Sequence, residues 1–507
     1  MMHWIVVPVV LPAILAPIIA FVMRHDMTLA RTASMAGTAV LFAVALGLVL
    51  VAADGDTHVY RLGDWPAPFG IVLVLDRLSA LMVFLTALLA MIVLVHAVAT
   101  GWDARGRHFH ALFQFQLMGI CGAFLTGDVF NLFVFFEVLL IASYGLMIHS
   151  GGRERVQAGL QYVVMNLAGS TLFLFALGTL YGATGTLNIA DLGVRVAEIP
   201  PDQAALVRVA VILLMLVFAV KAALFPVQFW LPGTYANAPA PVAALFAIMT
   251  KVGAYAILRV HTIAFGPGIA GTEDLAGTWL LPAAIFTIAI GALGVVGARR
   301  LMPLIAFSVV GSMGTLLVAV SAFSPTATTA ALYYMVHSTF AAACLFLIAD
   351  LVITRRGADT LSTAPATAQN GLFAALYFAA AIGMAGMPPL SGFLGKLLVL
   401  DAMREPASLA WVWSAILIGS LLTIIGFGRA GTTLFWKSTA LDAPDGDTPA
   451  APKATAAEIA PTMAAVAALS GLTVFAGPIA AYLEDTSLQL FDRSGYISAV
   501  LNPGPEV

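Results

Sequence analysis

The sequence predicts an all-α integral membrane protein of about fourteen transmembrane helices, and three observations support that prediction. First, 61% of the 507 residues are hydrophobic and only 10% are charged, whereas soluble proteins carry about 25% charged residues. Second, apolar runs of about 20 residues, the length that spans a bilayer, recur along the whole chain. Third, arginines and acidic residues alternate between successive loops, as expected for loops on opposite faces of a membrane.

The candidate spans follow one another with short connections. The first has no basic region before it and no small-residue cleavage site after it, so we expect a retained helix and not a signal peptide. The fourteen spans lie near 4–23, 33–53, 71–98, 110–126, 129–149, 161–182, 206–238, 240–262, 278–298, 301–323, 329–353, 371–402, 411–436 and 459–482. Prolines are predicted to break two of them, Pro226 and Pro232 in helix 7 and Pro388 and Pro389 in helix 12.

Charge placement predicts the orientation. If the N-terminus lies outside, the odd-numbered loops are cytoplasmic, and these are the loops rich in basic residues. They carry Arg24, Arg31, Arg105, Arg107, Arg153, Arg155, Arg299, Arg300, Arg355, Arg356, Lys437 and Lys453. The even-numbered loops carry mostly acids, namely Asp54, Asp56, Asp64, Asp191, Glu198, Asp202, Glu273 and Asp274. The pattern predicts a plasma membrane protein with both termini on the outer side.

A weak internal repeat divides the chain. Helices 4–8, at 110–262, and helices 9–13, within 263–436, have similar lengths, and the fourth helix of each set is broken by proline near a lysine. Five helices is an odd number, so the two copies are predicted to lie inverted in the membrane, which is typical of transporters. Helices 1–3 occupy 1–109, and 437–507 holds a flexible cytoplasmic linker, helix 14 and a tail.

Five ionisable residues are predicted to lie at membrane depth within the spans, away from their ends: Glu137, Lys221, Lys251, His337 and Lys396. Burying the glutamate and the three lysines unpaired would cost on the order of 12 kcal/mol. We therefore expect these groups to be paired, hydrated or neutral, and such groups favour an ion path. The alternatives are a structural role for Glu137 as the partner of a lysine, and a hydrogen-bonded core position for His337.

The remaining reactive residue types point to no further chemistry. His96, His149 and His261 fall near the ends of spans, which favours an interfacial role, and Cys121 and Cys344 are predicted to be small core residues. No nucleotide-binding loop, metal cluster or catalytic triad spacing is visible. The net charge of -3 does not suggest a nucleic-acid partner. We expect no cofactor and no metal.

Four motifs resemble the antiporter-like family shared by Mrp-type cation/proton antiporters and the membrane arm of respiratory complex I. They are FFEVLLIASYGLM, VKAALFPVQFWLP, TKVGAY and GMPPLSGFLGKLLVLDA. The resemblance implies that the fifth-helix glutamate pairs with the seventh-helix lysine. It also implies a polar axis that continues through the eighth, eleventh and twelfth helices. The matching positions are Glu137, Lys221, Lys251, His337 and Lys396.

Within that family the chain is more similar to the Mrp branch than to the complex I branch. The run LFAIMTK before Lys251 lacks a histidine that complex I relatives usually carry, and Lys396 stands where one complex I branch has glutamate. One departure is Gln228, where the resemblance implies an aromatic or apolar residue.

The resemblance implies a proton-translocating subunit of a multisubunit sodium (or other monovalent cation)/proton antiporter, which is a secondary transporter and not an enzyme. Its expected partners are other membrane subunits of the same complex, protons, the monovalent cation and the lipid bilayer. One alternative is a proton-pumping subunit of a complex I-like NADH:quinone oxidoreductase or a membrane-bound hydrogenase. Another is a scaffold subunit that transports nothing. Glu137 stands alone at mid-membrane depth, so no dedicated sodium site is predicted.

Overall fold

The computed structural model describes residues 2–273, 275–440 and 453–502, and helices dominate all three ranges. Most of the predicted linker and the last residues of the tail lie outside the described residues. The first part of the chain forms α1 (Val7–Phe21), α2 (Met27–Ala52), α3 (Arg77–Ala99), α4 (Phe109–Leu125), α5 (Val129–Met147), α6 (Arg153–Thr184), α7 (Ile189–Glu198), α8 (Ala205–Ala222), α9 (Trp230–Asn237), α10 (Ala240–Phe246), α11 (Met249–Ala256) and α12 (Thr262–Ala264). A π-helical turn, Ile257–His261, joins α11 to α12.

The second part forms a further set of helices. They are α13 (Leu275–Gly297), α14 (Leu301–Val320), α15 (Pro325–Arg356), α16 (Asn370–Ala385), α17 (Ser391–Ala402), α18 (Pro406–Gly431), α19 (Ala456–Val474), α20 (Ala476–Phe491) and α21 (Arg493–Leu501). Across the described ranges, 11 helices are long and apolar enough to cross a membrane, and α1, α4 and α16 are shorter apolar helices. The multi-spanning helical prediction is confirmed, while the count of fourteen crossings and the inverted symmetry stay predictions.

A two-stranded hairpin precedes α3 and was not predicted from the sequence. Strands β1 (His58–Arg61) and β2 (Val72–Leu75) pair antiparallel, with Val59 opposite Val74. The predicted start of helix 3 at residue 71 is therefore wrong, because an apolar run such as VLVL does not distinguish strand from helix. Asp76 caps α3 by accepting the Ser79 amide, so the helix begins only after the strand.

Both predicted helix breaks are present. Helix 7 is divided into α8 and α9 by residues 223–229, which include Pro226, and helix 12 into α16 and α17 by residues 386–390, which include Pro388 and Pro389. Pro232 does not lie in the break: it occupies the first turn of α9. A proline is tolerated there because the first amides of a helix have no intrahelical acceptor.

The centre of the molecule is formed by α15 and by the segment Ala240–Ala264. In the most apolar stretch of α15, 94% of the residues are buried, and in that of Ala240–Ala264 all of them are. In the most apolar stretch of Pro406–Ala440, which begins with α18, only 22% are buried. Helix α15 packs against α10, α14, α16, α17, α19 and α20. The fold therefore shields Lys251 and His337, which these two segments carry, from the protein surface.

A buried ion pair joins the beginning of α3 to the π-helical turn. The guanidinium of Arg259 donates to both carboxylate oxygens of Asp76 at 2.5 and 2.7 Å. Arg259 also lies over the rings of Tyr255 and Tyr496 at 5.5 and 5.4 Å from their centroids. The pair thus holds together the N-terminal helices, the eighth span and the C-terminal helix α21.

We expect Arg259→Met to destabilise the fold strongly, because it leaves the Asp76 carboxylate buried without its counter-charge. Removing one partner of a buried ion pair costs about 3–5 kcal/mol. The measurement is the thermal midpoint of the purified protein in detergent, followed by tryptophan fluorescence. The control is Arg195→Met, since Arg195 is 55% exposed in its pair with Asp191 and such surface pairs contribute about 0–1 kcal/mol. Equal midpoints for the two variants would contradict the prediction.

Candidate functional site

Glu137 lies half-buried on α5 and faces α6. Its carboxylate accepts a short hydrogen bond from the hydroxyl of Ser170. Ser170 is 5% exposed, so this contact is shielded from water and lipid. The hydroxyl supplies one of the donors that a buried carboxylate needs.

Lys221 lies in the last turn of α8 and is 5% exposed. Its ammonium donates to Oδ1 of Asn166 on α6 at 3.1 Å and lies 5.7 Å from the ring centroid of Phe136. The amide nitrogen of Asn166 donates to the Tyr162 carbonyl at 3.0 Å. That second bond fixes the orientation of the amide, so its oxygen faces the lysine.

Helix α6 connects these two charged groups. Asn166 and Ser170 are four residues apart, hence on the same helix face. No ion pair joins Glu137 to Lys221 directly in the described part of the chain; each binds its own polar residue of α6. Neither α6 residue was predicted from the sequence. The only sequence feature that indicates them is a pair of polar side chains one helical turn apart in the apolar run VVMNLAGSTLF.

The break after Lys221 is stabilised by specific hydrogen bonds. Ala223 adopts a left-handed conformation with φ of 54°, which ends α8. The indole N–H of Trp230 donates to the Val220 carbonyl, and the Phe225 amide donates to the hydroxyl of Thr287, both at 2.9 Å. These bonds satisfy backbone groups that a broken helix would otherwise leave unpaired in the membrane.

Helices α8 and α11 touch through their backbones at Gly253. A β-carbon at this position would lie 2.6 Å from the Ala222 nitrogen and 2.9 Å from the Lys221 carbonyl carbon. No side chain larger than hydrogen fits such a contact. Gly253 is two residues after Lys251, so this contact brings the helices of the two lysines together.

Lys251 is fully buried, with 0% exposure. Its amine has no hydrogen-bond partner among the described residues. This differs from Lys221 and Lys396, which both have protein acceptors. A buried amine without a protein partner needs a water molecule, or must be uncharged, to avoid a cost of several kcal/mol.

His337 lies on α15 and faces the break of helix 12. Its Nδ1 is 2.9 Å from the hydroxyl of Ser391, the first residue of α17. Nε2 makes no hydrogen bond of normal geometry in the described chain, although the Gly383 carbonyl faces the ring. Helix α15 packs against α10, in the segment that carries Lys251, and against α17, which carries Lys396.

Lys396 lies on α17 and reaches back across the break. Its ammonium donates to the carbonyl of Ala385, the last residue of α16, at 2.7 Å and to the Ser420 hydroxyl at 2.8 Å. The C-terminus of a helix carries partial negative charge, which favours a cation there. Gly386 follows with φ of 80°, and a β-carbon on it would lie 2.6 Å from Cδ of Lys396.

A small polar cavity adjoins Lys396. Its volume of about 20 Å³ is enough for roughly one water molecule. Hydroxyl groups from three helices line it, namely those of Ser308, Ser312, Thr315, Tyr334, Ser420 and Thr423. The Ser312 hydroxyl has no partner among the described residues, so a water in this cavity would satisfy it.

The five predicted residues lie on helices that contact one another. Glu137 and Lys221 each bind the same face of α6, the helices of Lys221 and Lys251 touch at Gly253, and His337 faces the break at which Lys396 binds. Within the described ranges, no three His, Cys, Asp or Glu side chains are placed to bind a metal ion. The arrangement can hold and exchange protons, because every member is an amine, an imidazole or a carboxyl group.

The fold is that of a polytopic helical membrane protein. Residues 126–423 match the family model described as NADH:quinone oxidoreductase/Mrp antiporter, TM, and the chain belongs to this family. It is 39% identical to the D subunit of the probable K(+)/H(+) antiporter of Rhizobium meliloti (strain 1021), over 99% of this chain and 98% of the relative.

Two further similarities extend over the whole chain. The D subunit of the Na(+)/H(+) antiporter of Alkalihalophilus pseudofirmus is 33% identical, over 99% of this chain and 100% of the relative. A chain in the structure of the Mrp complex from Dietzia sp. DQ12-45-1b superimposes with a TM-score of 0.88 at 29% identity, covering 99% of this chain and 100% of that one. The family resemblance stated from the sequence is confirmed.

We expect Gly253→Ala to lower the thermal midpoint, because the added methyl group overlaps the backbone of α8. Such overpacking costs about 1–3 kcal/mol. The control is Gly182→Ala on α6, where a β-carbon meets nothing within 4 Å. There the substitution should be neutral or stabilise by up to about 1 kcal/mol. A Gly253→Ala protein as stable as the control would show that the two helices can separate freely.

We expect Asn166→Leu to destabilise the protein, since it removes the acceptor of a buried ammonium while nearly conserving volume. Leaving such a group unsatisfied costs about 1–3 kcal/mol or more. Thr171→Val is the matched control, because Thr171 is exposed on the same helix and bonds only to its own backbone. The thermal midpoints of both variants in detergent test this, and an unchanged midpoint for Asn166→Leu refutes it.

Proposed function

We propose that this chain is the proton-translocating subunit of a multisubunit antiporter that exchanges protons for sodium or another monovalent cation. Protons pass along Glu137, Lys221, Lys251, His337 and Lys396, in that order or its reverse. The observation that carries the proposal is the placement of five ionisable residues on contacting helices in the protein interior, with Lys221, Lys251 and His337 buried. The relatives named for Na(+)/H(+) and K(+)/H(+) exchange support the antiporter assignment and leave the cation open between the two.

The contacts suggest how a proton advances. Protonated Lys221 is stabilised by Asn166 and by the charge of Glu137, whereas Lys251 has no acceptor among the described residues. A proton is therefore held at Lys221 and passes only transiently through Lys251. In this proposal a water molecule carries the proton between Lys251 and Nε2 of His337, neither of which makes a hydrogen bond of normal geometry to a described residue. Lys396, held by the Ala385 carbonyl, is the last acceptor.

The proposal includes the membrane, the orientation and the partners of the chain. The chain lies in the plasma membrane with both termini on the outer side, as the distribution of basic loop residues favours. Its partners are the other membrane subunits of the antiporter. It is a transporter subunit and carries out no covalent chemistry.

We expect Glu137→Gln and Lys221→Ala to reduce cation-driven proton movement by at least about ten-fold, because each removes a member of the series. The assay uses everted membrane vesicles containing the complete complex, with a fluorescent reporter of the proton gradient and pulses of sodium or potassium. Lys437→Ala, outside the series, is the control and should transport normally. Full transport by an assembled Lys221→Ala complex would falsify the proposal.

A second candidate function follows from the name of the family, which includes the NADH:quinone oxidoreductases. There the same series would conduct protons driven by electron transfer in partner subunits. Copurification separates the two candidates. Small membrane subunits alone support the antiporter, whereas bound flavin or iron–sulfur subunits support the redox complex. A subunit that only holds others in place would tolerate both substitutions above.

A further inference from the structure

A cavity of about 290 Å³ lies between two loops on the face of the protein that is predicted to be outside. It is separate from the five-residue series. Its mouth is at the exposed Pro267 and Ala322, which belong to the connections α12–α13 and α14–α15. A cavity of this size holds several water molecules. We call it the outer vestibule.

His261 lies at the base of the outer vestibule and is 1% exposed. Neither ring nitrogen makes a hydrogen bond of normal geometry to any described residue, although the backbone carbonyls of Ile257 and Val211 face the ring. Because neither carbonyl completes a hydrogen bond of normal geometry, water in the vestibule is a further partner that the ring nitrogens can take.

His261 lies beside the helix that carries Lys221 and on the segment that carries Lys251. The ring packs against Phe218 at 6.0 Å between centroids, and Phe218 lies three residues before Lys221 on α8. His261 also follows Lys251 by ten residues on the segment Ala240–Ala264, a rise of about 15 Å in helical geometry. The π-helical turn that ends at His261 is a feature often found at functional sites.

Few charges lie near the imidazole. Arg259, on the same turn, is neutralised by Asp76. Arg208 and Arg493 donate to the backbone carbonyls of Gly271 and Ile263, and the Glu273 carboxylate accepts the Gly268 amide. No ion pair of the described residues includes His261, so no fixed counter-charge holds a proton on its ring.

We propose that His261 is the proton port on this face of the first repeat. Water in the outer vestibule gives a proton to one ring nitrogen, and the ring releases the proton on its other nitrogen towards Lys221 and Lys251, or the reverse. The proposal rests on the proposed function. It adds a residue that the five-residue series does not contain.

The test measures cation-driven proton movement in vesicles with the complete complex. His261→Phe keeps the ring packing against Phe218 but holds no proton, so we expect transport to fall about ten-fold or more. His261→Ala should be equally slow, and millimolar imidazole should restore much of its rate by filling the vacated site. The control is His25→Phe, in an exposed loop.

Two results would overturn the proposal that His261 is a proton port. One is wild-type transport by assembled His261→Phe; the other is slow transport by His261→Ala that imidazole does not restore. If Lys221→Ala also transports normally, the proposed function itself has failed. If Lys221→Ala stops transport while His261→Phe does not, only the port is wrong.

If these variants do not assemble, a labelling experiment tests whether the outer vestibule is open to the outer side. Both native cysteines, Cys121 and Cys344, are buried, so the wild-type background for thiol labelling is low. Ser321→Cys places a thiol in the vestibule, and a membrane-impermeant thiol reagent should label it from the outer side only. Absence of labelling from that side overturns an open vestibule.

Discussion

Ionisable groups inside the membrane need polar partners, and the helices around the candidate site are arranged to supply them. Each of the buried ionisable side chains is costly unless a polar group meets it. The protein meets that need in three different ways: an amide for Lys221, a helix end for Lys396 and a hydroxyl for Glu137. Lys251 and Nε2 of His337 are left without partners among the described residues. Satisfied groups therefore lie at the two ends of the series and unsatisfied ones in its middle.

The two broken helices solve a related problem for the backbone. After α8, the Trp230 indole and the Thr287 hydroxyl bind groups released by the break. After α16, Lys396 itself binds the freed Ala385 carbonyl. The first break is thus stabilised by neutral groups and the second by an ionisable one. Lys396 thus takes part in stabilising the second break, whereas Lys221 lies in the turn before the first break and binds α6.

Much of this site could be predicted from the sequence, because ionisable residues and paired prolines are rare enough in apolar runs to stand out. Asn166 and Ser170 do not stand out, since small polar residues are common in membrane helices. The hairpin was missed because its second strand is as apolar as the helix that follows it. The environment of His261 depends on a π-helical turn and on two loops that meet only in the folded chain.

The complete burial of Ala240–Ala264 and the near-complete burial of α15 have a consequence for assembly. Neighbouring subunits and lipids can touch only the peripheral helices, of which α18 is the most exposed. The central lysine and histidine are insulated from them by at least one layer of protein. An influence from another subunit can therefore enter the series at its Lys396 end, through a peripheral helix such as α18, whose Ser420 binds Lys396.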